Sequence, residues 1–209
     1  MRTYTALAAM FFLLSTDGAA QQATPSASTK NTSSASAPDP GAFASGLYRN
    51  AGFGFTYKVP FGWVDRTEDM RQESAESSKS TVLLGVFERP PEAAGSTLNS
   101  AVVIAAESAA SYPGLKAAAQ YLGPVTEIAT AKGLKAVNEP YEFPVDAMAI
   151  ARRDFAGQLR GLAVQQSTLV LLEKGYVLSF TFLAGSSDEI TELIEGLTFG
   201  KVKVPPNAK

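Results

Sequence analysis

The chain has 209 residues, with 18 Lys or Arg against 20 Asp or Glu, a net charge of −2, and neither histidine nor cysteine. Without histidine there is no Ser-His-Asp or Cys-His pair and no His-ligated zinc, and without cysteine there is no disulfide, thiolate metal site, iron–sulfur cluster or lipid-modified cysteine. The near-even charge balance gives no basic field for nucleic acid, so no nucleic-acid partner is expected.

Residues 1–20 have the layout of an export signal: Arg2, a nine-residue apolar run over 6–14 (ALAAMFFLL), then Gly18-Ala19-Ala20. That layout predicts cleavage after Ala20, with Gln21 as the new N-terminus and a periplasmic or secreted product. The apolar run is too short to span a bilayer, which takes about 20 residues. An uncleaved signal would instead leave the chain tethered to the membrane. Residues 21–46 change character, since 18 of the 26 are Ala, Ser, Thr or Pro and Phe43 is the one large apolar side chain. Too little apolar surface is available there to offset ordering entropy, so a disordered linker is expected. Asn31-Thr32-Ser33 matches a glycosylation sequon and reads as composition.

Residues 47–204 are the right length for one globular domain, with 205–209 left as a flexible tail. A domain of about 150 residues buries roughly 68–70% of its unfolded surface and needs no staple. Phe53, Phe55, Tyr57 and Val59 alternate as one face of a strand that stops at Pro60-Phe61-Gly62-Trp63. The apolar runs 81–88 (TVLLGVFE) and 101–106 (AVVIAA) predict central strands covered on both faces. Leu115, Ala118, Ala119 and Leu122 have helical spacing; Gly123-Pro124 is expected to kink or split that helix, and Gly133 to cap it. Strands are expected over 134–143 and 145–155, separated by Pro144, and over 159–172 and 176–184, joined by a hairpin at Glu173-Lys174-Gly175. In the last strand Tyr176, Leu178, Phe180 and Phe182 share a face, with Val177, Ser179, Thr181 and Leu183 on the other. Ser186 with Glu189 makes a capping box, and Ile190, Leu193, Ile194 and Leu197 form a helical stripe. The fold class expected is α+β, a mostly antiparallel sheet flanked by helices.

Two stretches resemble the PsbP-like family. The run Phe53-Gly54-Phe55-Thr56-Tyr57-Lys58-Val59-Pro60-Phe61-Gly62-Trp63 is similar to the opening of those domains. The ending also resembles them: an aromatic strand after Lys174-Gly175-Tyr176, the passage through Gly185 and Asp188 into a short helix, and Leu197-Thr198-Phe199. The resemblance spans about residues 47–199. It implies the α/β/α sandwich shared by PsbP, the Ran-binding Mog family and DcrB-like envelope proteins, and mainly non-catalytic, accessory work. The metal-binding histidines proposed for PsbP have no counterpart here, and an export signal does not fit a nuclear GTPase partner.

Candidate sites are few. Gly52-Phe53-Gly54 lacks a third glycine and precedes a strand, which argues against a nucleotide loop. Residues 65–80 hold Asp65, Glu68, Asp69, Glu73 and Glu76, the one place where oxygen ligands for calcium come together, although a solvated helix or loop explains them better. Arg152 and Arg153 are successive strand residues and must face opposite ways, so they make no joint anion clamp; one is expected to reach solvent and the other to pair with a carboxylate. Glu139, Glu142, Asp146 and Asp154 are the acids from which a catalytic carboxylate pair would have to be drawn. Trp63, beside Pro60 and Gly62, is placed for a sheet end or an apolar pocket. The surface or pocket candidates are therefore Trp63, Glu142, Arg152 and Arg153. The expectation is an exported, non-enzymatic binding or accessory domain without a cofactor, its partner an envelope protein or a small ligand. An apolar-ligand carrier and a carboxylate-based hydrolase or lyase are the alternatives.

Overall fold

Phe53, Phe55, Tyr57 and Val59 are all buried, as a strand with one covered face requires. The structure is a computed structural model that describes residues 37–74, 80–90, 93 and 95–200. The order along the chain is β1 (Ala42–Ala44), β2 (Leu47–Asn50), β3 (Phe55–Lys58), β4 (Val64–Asp65), α1 (Thr67–Ser74), β5 (Ser80–Phe87) and β6 (Ala101–Ser108). It continues through α2 (Ala118–Ala131), β7 (Leu134–Ala136), β8 (Tyr141–Val145), β9 (Met148–Leu159), β10 (Leu162–Glu173), β11 (Tyr176–Ala184), α3 (Ser187–Glu195) and β12 (Leu197–Phe199).

The class is α+β, with sheet dominating. The strands make two sheets rather than the single one expected. A large sheet has the order β4-β5-β6-β11-β10-β9-β7, with β8 also on β9, and a small one has the order β1-β2-β3-β12. Every pairing is antiparallel. On one face of the large sheet lie the small sheet and α3: Phe55, Tyr57, Ile190 and Leu193 pack against Ile104, Leu169, Phe180 and Phe182. On the other face α2 packs Tyr121, Leu122, Val125 and Ala129 against Val103, Phe155, Val164 and Val170. The large sheet is thus the middle layer, which is why β5 and β6 read as unbroken apolar runs.

Several local expectations change. Strand β1 lies inside the segment 21–46 expected as linker and pairs residue for residue with β2, Phe43 opposite Tyr48. Helix α2 begins at Ala118, leaving Leu115 outside, and runs through Pro124 without a break. The missing N–H costs a helix interior about 3 kcal/mol, and the buried stripe from Tyr121 to Ala129 offsets it. The Gln120 side chain accepts from Lys116 N (2.7 Å) and Ala117 N (3.1 Å), capping the start. Pro144 does not separate two strands but sits within β8, an edge position where an absent N–H breaks no ladder. The turn falls instead after Val145, with Asp146 at φ 51. The stretch 134–143, expected as one strand, is divided between β7 and β8 by an irregular link at 137–140. The Lys174-Gly175 hairpin is present with both residues at positive φ, and Ser45-Gly46 and Arg160-Gly161 repeat the same geometry. Helix α3 is capped by Ser186 Oγ, which accepts from Glu189 N at 3.2 Å, while the Glu189 carboxylate accepts from Gly185 N (3.3 Å) rather than closing the expected box on Ser186 N.

Candidate functional site

The most site-like geometry lies where the small and large sheets part at one edge. The acidic stretch after β4 folds as α1 because Asp65 Oδ1 accepts from Thr67 N (2.8 Å) and Thr67 Oγ1 (2.6 Å), and Glu68 and Asp69 then suit the positive end of the helix dipole. The helix lies along β5 and satisfies groups that the two-residue β4 leaves open. Arg66 N donates to Gly85 O (2.8 Å), Gly85 N to Thr67 Oγ1 (3.0 Å), Arg71 Nε to Val82 O (2.7 Å) and Arg71 Nη2 to Leu83 O (3.2 Å). An edge strand with unsatisfied carbonyls would otherwise invite pairing with another chain. Gly85 permits this approach, since a Cβ there would fall on Met70 Sδ. The register shift between Val82 and Leu84 turns the successive Leu83 and Leu84 into the same core.

Across from α1 stands β1. Tyr48 OH donates to Pro40 O (3.0 Å), Asn50 Nδ2 to Asp39 O (2.8 Å), and the Asp39 carboxylate accepts from Gly41 N (2.9 Å) and Gly52 N (2.8 Å). These bonds fix the run into β1. Between β1 and α1 is an open groove of about 260 Å³, with Tyr48, Leu83 and Leu84 at its floor and Phe43, Asp65, Arg66, Glu68, Asp69 and Arg71 around its rim. Arg66 pairs with Asp69 (3.3 Å) and Glu73 (3.6 Å), and Arg71 with Glu68 (3.7 Å). Asp65 has no basic partner among the described residues, and the lining carries three acids (Asp65, Glu68 and Asp69) against two arginines (Arg66 and Arg71). Nothing in the local sequence pointed to this groove, because its two walls come from segments brought together only by the sheet packing.

The carboxylates considered for calcium are therefore engaged: Asp65 with Thr67, Asp69 and Glu73 with Arg66, Glu68 with Arg71; Glu76 lies outside the described residues. Among the described residues no group of three or more acidic side chains is placed to hold a metal.

The four residues singled out from sequence are scattered. Arg152 and Arg153 do face opposite ways, but neither is free in solvent. Arg152 Nε donates to Asp154 Oδ1 (2.8 Å), and its guanidinium lies 4.5 Å from the Phe143 ring centre. Arg153 reaches the other face, donating to Thr126 Oγ1 on α2 (2.9 Å) and to Asn138 O (3.0 Å), with Glu139 at 3.5 Å. Burial pushes the Asp154 carboxyl up, but hydrogen bonds from Asn138 and Arg152, together with the Arg152 charge, outweigh this and hold it below its ordinary value. Glu142 is exposed on β8 opposite Ala151, which puts it on the α2 face, whereas Asp154 alternates with Arg152 onto the other. These two acids therefore cannot act on one substrate bond. Asp146 is spent on the turn, accepting from Phe199 N at 2.7 Å. Trp63 is half-buried against the aromatic core, and Phe61 beside it is fully exposed.

One buried acid escaped the sequence reading. Glu107, 3% exposed near the end of β6, accepts from Tyr121 OH (2.7 Å) and from Tyr112 OH. Burial, and then the adjacent carboxylate, raise both phenols above their ordinary value. Its only sequence signal is a lone acid ending an apolar run.

The chain matches no known protein family, and no curated protein matches it. Among solved structures it is similar to PA94 from Pseudomonas aeruginosa, a protein of unknown function, at 16% identity and a TM-score of 0.36 over 56% of this chain and 80% of that one. A Bacteroides thetaiotaomicron protein is similar at 13% identity and TM-score 0.37 over 71% of this chain and 46% of that one. LpqN of Mycobacterium tuberculosis, involved in cell envelope biogenesis, is similar at 14% identity and TM-score 0.38, over 70% and 83%. Likeness of this degree does not carry those proteins' roles across.

Proposed function

We propose that the chain is an exported, non-enzymatic binding or accessory domain of the bacterial cell envelope, PsbP-like in fold, released by cleavage after Ala20, and that it binds an extended polypeptide in the groove between β1 and α1. The observation that carries the binding site is the groove itself: a concave, acid-rimmed, apolar-floored channel one wall of which is the edge strand of a sheet. An extended peptide can add to such an edge through main-chain hydrogen bonds while its side chains enter the floor. The PsbP-like reading is supported by the three layers, by the turn at Pro60-Phe61-Gly62-Trp63 and by the capped helix α3 that follows the aromatic strand.

The alternatives have less support. An apolar-ligand carrier wants an enclosed apolar cavity, whereas this groove is open and its rim is charged. A carboxylate hydrolase wants two acids facing one cleft, and Glu142 and Asp154 lie on opposite faces of their sheet. For the envelope, the support is the signal layout; no helix among the described residues is long and apolar enough to cross a membrane.

Two measurements test the reading. Mass spectrometry of the exported protein is expected to find Gln21 as the N-terminus; a product still beginning at Met1 overturns the released form. A photo-crosslinking side chain at Phe43 is expected to capture a peptide-bearing partner in the envelope fraction, with Asp65→Lys abolishing capture. Equal capture from Phe43 and from Val137, which is exposed on a different edge, removes the groove from the proposal.

A further inference from the structure

We propose that Arg152, on β9, is an oxyanion-binding residue whose Nη1–Nη2 edge takes two oxygens of a carboxylate or phosphate group. The inference does not rest on the groove, because β9 lies toward the opposite edge of the large sheet from β4 and β5. Three observations lead to it.

The first is unused hydrogen-bonding capacity. Among the partly buried arginines Arg152 is the least exposed, with 13% of its side chain accessible. Taking a guanidinium out of water is costly unless its N–H groups are paired. Arg153 places every guanidinium nitrogen, Nε on Asn138 O, Nη1 on Thr126 Oγ1 and Nη2 beside Glu139. Arg152 places only Nε, on Asp154 Oδ1 at 2.8 Å, and its Nη1 and Nη2 hydrogens meet no acceptor among the described residues. Neither Nη atom is sealed in. The enclosed side-chain atoms without a partner, among the described residues, are Tyr57 OH, Arg89 Nε and Ser167 Oγ. An acceptor arriving from solvent can therefore reach the Nη edge.

The second is that the guanidinium is held in place. It lies 4.5 Å from the Phe143 ring centre and 5.8 Å from that of Tyr141, its partner across β8 and β9. A planar, weakly hydrated cation suits these ring contacts, and they limit its swing. Asp154, which fixes Nε, is itself anchored: its Oδ2 accepts from Asn138 Nδ2 (2.8 Å) and Tyr141 OH (2.9 Å). A donor pair already ordered loses little freedom when a ligand arrives.

The third is the shape and charge of what is left. With Nε taken, the remaining donors lie side by side at the end of a planar fork, which two oxygens of one oxyanion match. Asp154 is the one carboxylate paired with Arg152 among the described residues, and its charge is shared with Asn138 and Tyr141. Glu142 faces the other side of the sheet, and Asp146 is taken by Phe199 N. Tyr141, 37% exposed, sets a ring beside the fork, so an oxyanion carried on an apolar or aromatic group gains a second contact.

The test is an NMR titration of the full, isotope-labelled chain with sodium benzoate and, separately, with inorganic phosphate, at an ionic strength held constant with chloride. The Arg152 Nε–H signal and the β8 and β9 amides around it are expected to move along a saturable curve. Saturation with benzoate alone assigns the site to carboxylates, with phosphate alone to phosphates, and with both to either; each outcome keeps the proposal. A shift that never saturates, or no shift with either probe, overturns it. Arg152→Lys keeps the charge but not the fork and is expected to weaken binding by about tenfold, the worth of one charge-assisted hydrogen bond. Arg153→Lys, whose guanidinium already spends its nitrogens inside the protein, is expected to leave binding unchanged. Equal affinity for Arg152→Lys and the unmodified chain overturns the proposal, and so does an equal loss from both variants. Melting curves that overlay the unmodified chain show that each variant keeps the fold. The titration of the unmodified chain needs no variant, so it decides the proposal even where Arg152→Lys unfolds.

Discussion

The two faces of the large sheet are built on different principles. The face toward the small sheet and α3 is a store of rings: Phe55 meets Phe180 edge-on at 5.1 Å between centroids and Phe199 at 5.9 Å, Phe180 meets Phe199 at 5.9 Å, and Tyr57 lies 6.2 Å from Phe182. The face toward α2 is more aliphatic, with Phe87, Phe155 and Tyr121 among its larger side chains, and carries a buried polar row. Gln166 donates to Thr168 (3.1 Å), Thr168 meets Thr181 across the strands (3.4 Å), Arg153 reaches up to Thr126, and Glu107 lies under two tyrosines. The first face gains its stability from area and ring geometry, which are tolerant of small shifts. The second depends on every polar group finding its partner, because each unmade bond in a low-dielectric interior costs the full desolvation of the group. The same sheet thus has one face that fails by losing volume and one that fails by losing a hydrogen bond.

The largest effect is expected on the aromatic face. Phe180→Ala removes a ring that touches both Phe55 and Phe199 and is predicted to lower stability by about 3–5 kcal/mol, read from equilibrium urea unfolding. Phe180→Leu, which keeps most of the volume, is expected to recover more than half of that loss. A small effect for Phe180→Ala would mean that the two sheets close up over the gap, and that the ring contacts count for little.

On the polar face the chemistry of the replacement should matter more than its size. Glu107→Ala strands the hydroxyls of Tyr112 and Tyr121 and is predicted to cost about 2–4 kcal/mol, since each buried unpaired group costs about 1–3. Glu107→Gln keeps an acceptor and is expected to cost clearly less. If the two variants unfold at the same urea concentration, the cavity rather than the hydrogen bonds dominates, and the two faces differ less than their composition implies.

A third variant tests charge at the edge of the sheet on the face away from α2, where Asp154 pairs with Arg152. Asp154 has a folded pKa below its unfolded value of about 3.9, so it contributes stability that is fully present above that value and is lost as pH falls through the folded pKa. Asp154→Asn is therefore predicted to cost about 1–2 kcal/mol at pH 7, with the gap to the unmodified chain closing as pH falls below about 4. A gap that persists at pH 3 would assign the effect to side-chain geometry rather than to the carboxylate charge.

What the chain disclosed before folding follows from the same contrast. The alternating rings from Phe53 to Val59 and from Tyr176 to Phe182 mark the aromatic face directly, because a period of two in large apolar residues has one physical meaning. Helix α3 was legible from Ser186 and Glu189 for a similarly local reason. The second sheet was not, since β12 finds β3 from the far end of the chain and nothing in Leu197-Thr198-Phe199 says which strand it joins. Pro124 and Pro144 misled for the opposite reason: both are local stop signals overridden by context, one by a buried helical stripe and one by an edge position. The groove was illegible because Phe43 lies in a stretch whose composition reads as linker, and only its pairing with Tyr48 and the anchoring of Asp39 bring it against α1. Arg152 and Arg153 were correctly sent to opposite faces by strand geometry, but their partners, Asp154 on one side and Thr126 on the other, are set by packing that spacing alone cannot supply.

The sharpest comparison of the two faces uses one chemical change on both. Tyr57 and Tyr121 are each almost wholly buried, and Tyr→Phe removes one oxygen from either. On the aromatic face the Tyr57 hydroxyl has no hydrogen-bond partner among the described residues, so its burial is a cost with nothing to offset it. Burial alone raises its pKa, the behaviour of a phenol with no charge beside it. Tyr57→Phe is therefore expected to leave stability unchanged or raise it by up to about 1 kcal/mol. On the polar face the Tyr121 hydroxyl donates to the buried Glu107 carboxyl, and Tyr121→Phe withdraws that donor while leaving the carboxyl in place, with a predicted loss of about 1–3 kcal/mol. Urea midpoints for the two variants should move apart from that of the unmodified chain, Tyr121→Phe downward and Tyr57→Phe not at all or upward. Equal downward shifts would show that the Tyr57 hydroxyl is satisfied in solution by a trapped water, and would make the interior of the aromatic face wetter than its composition allows.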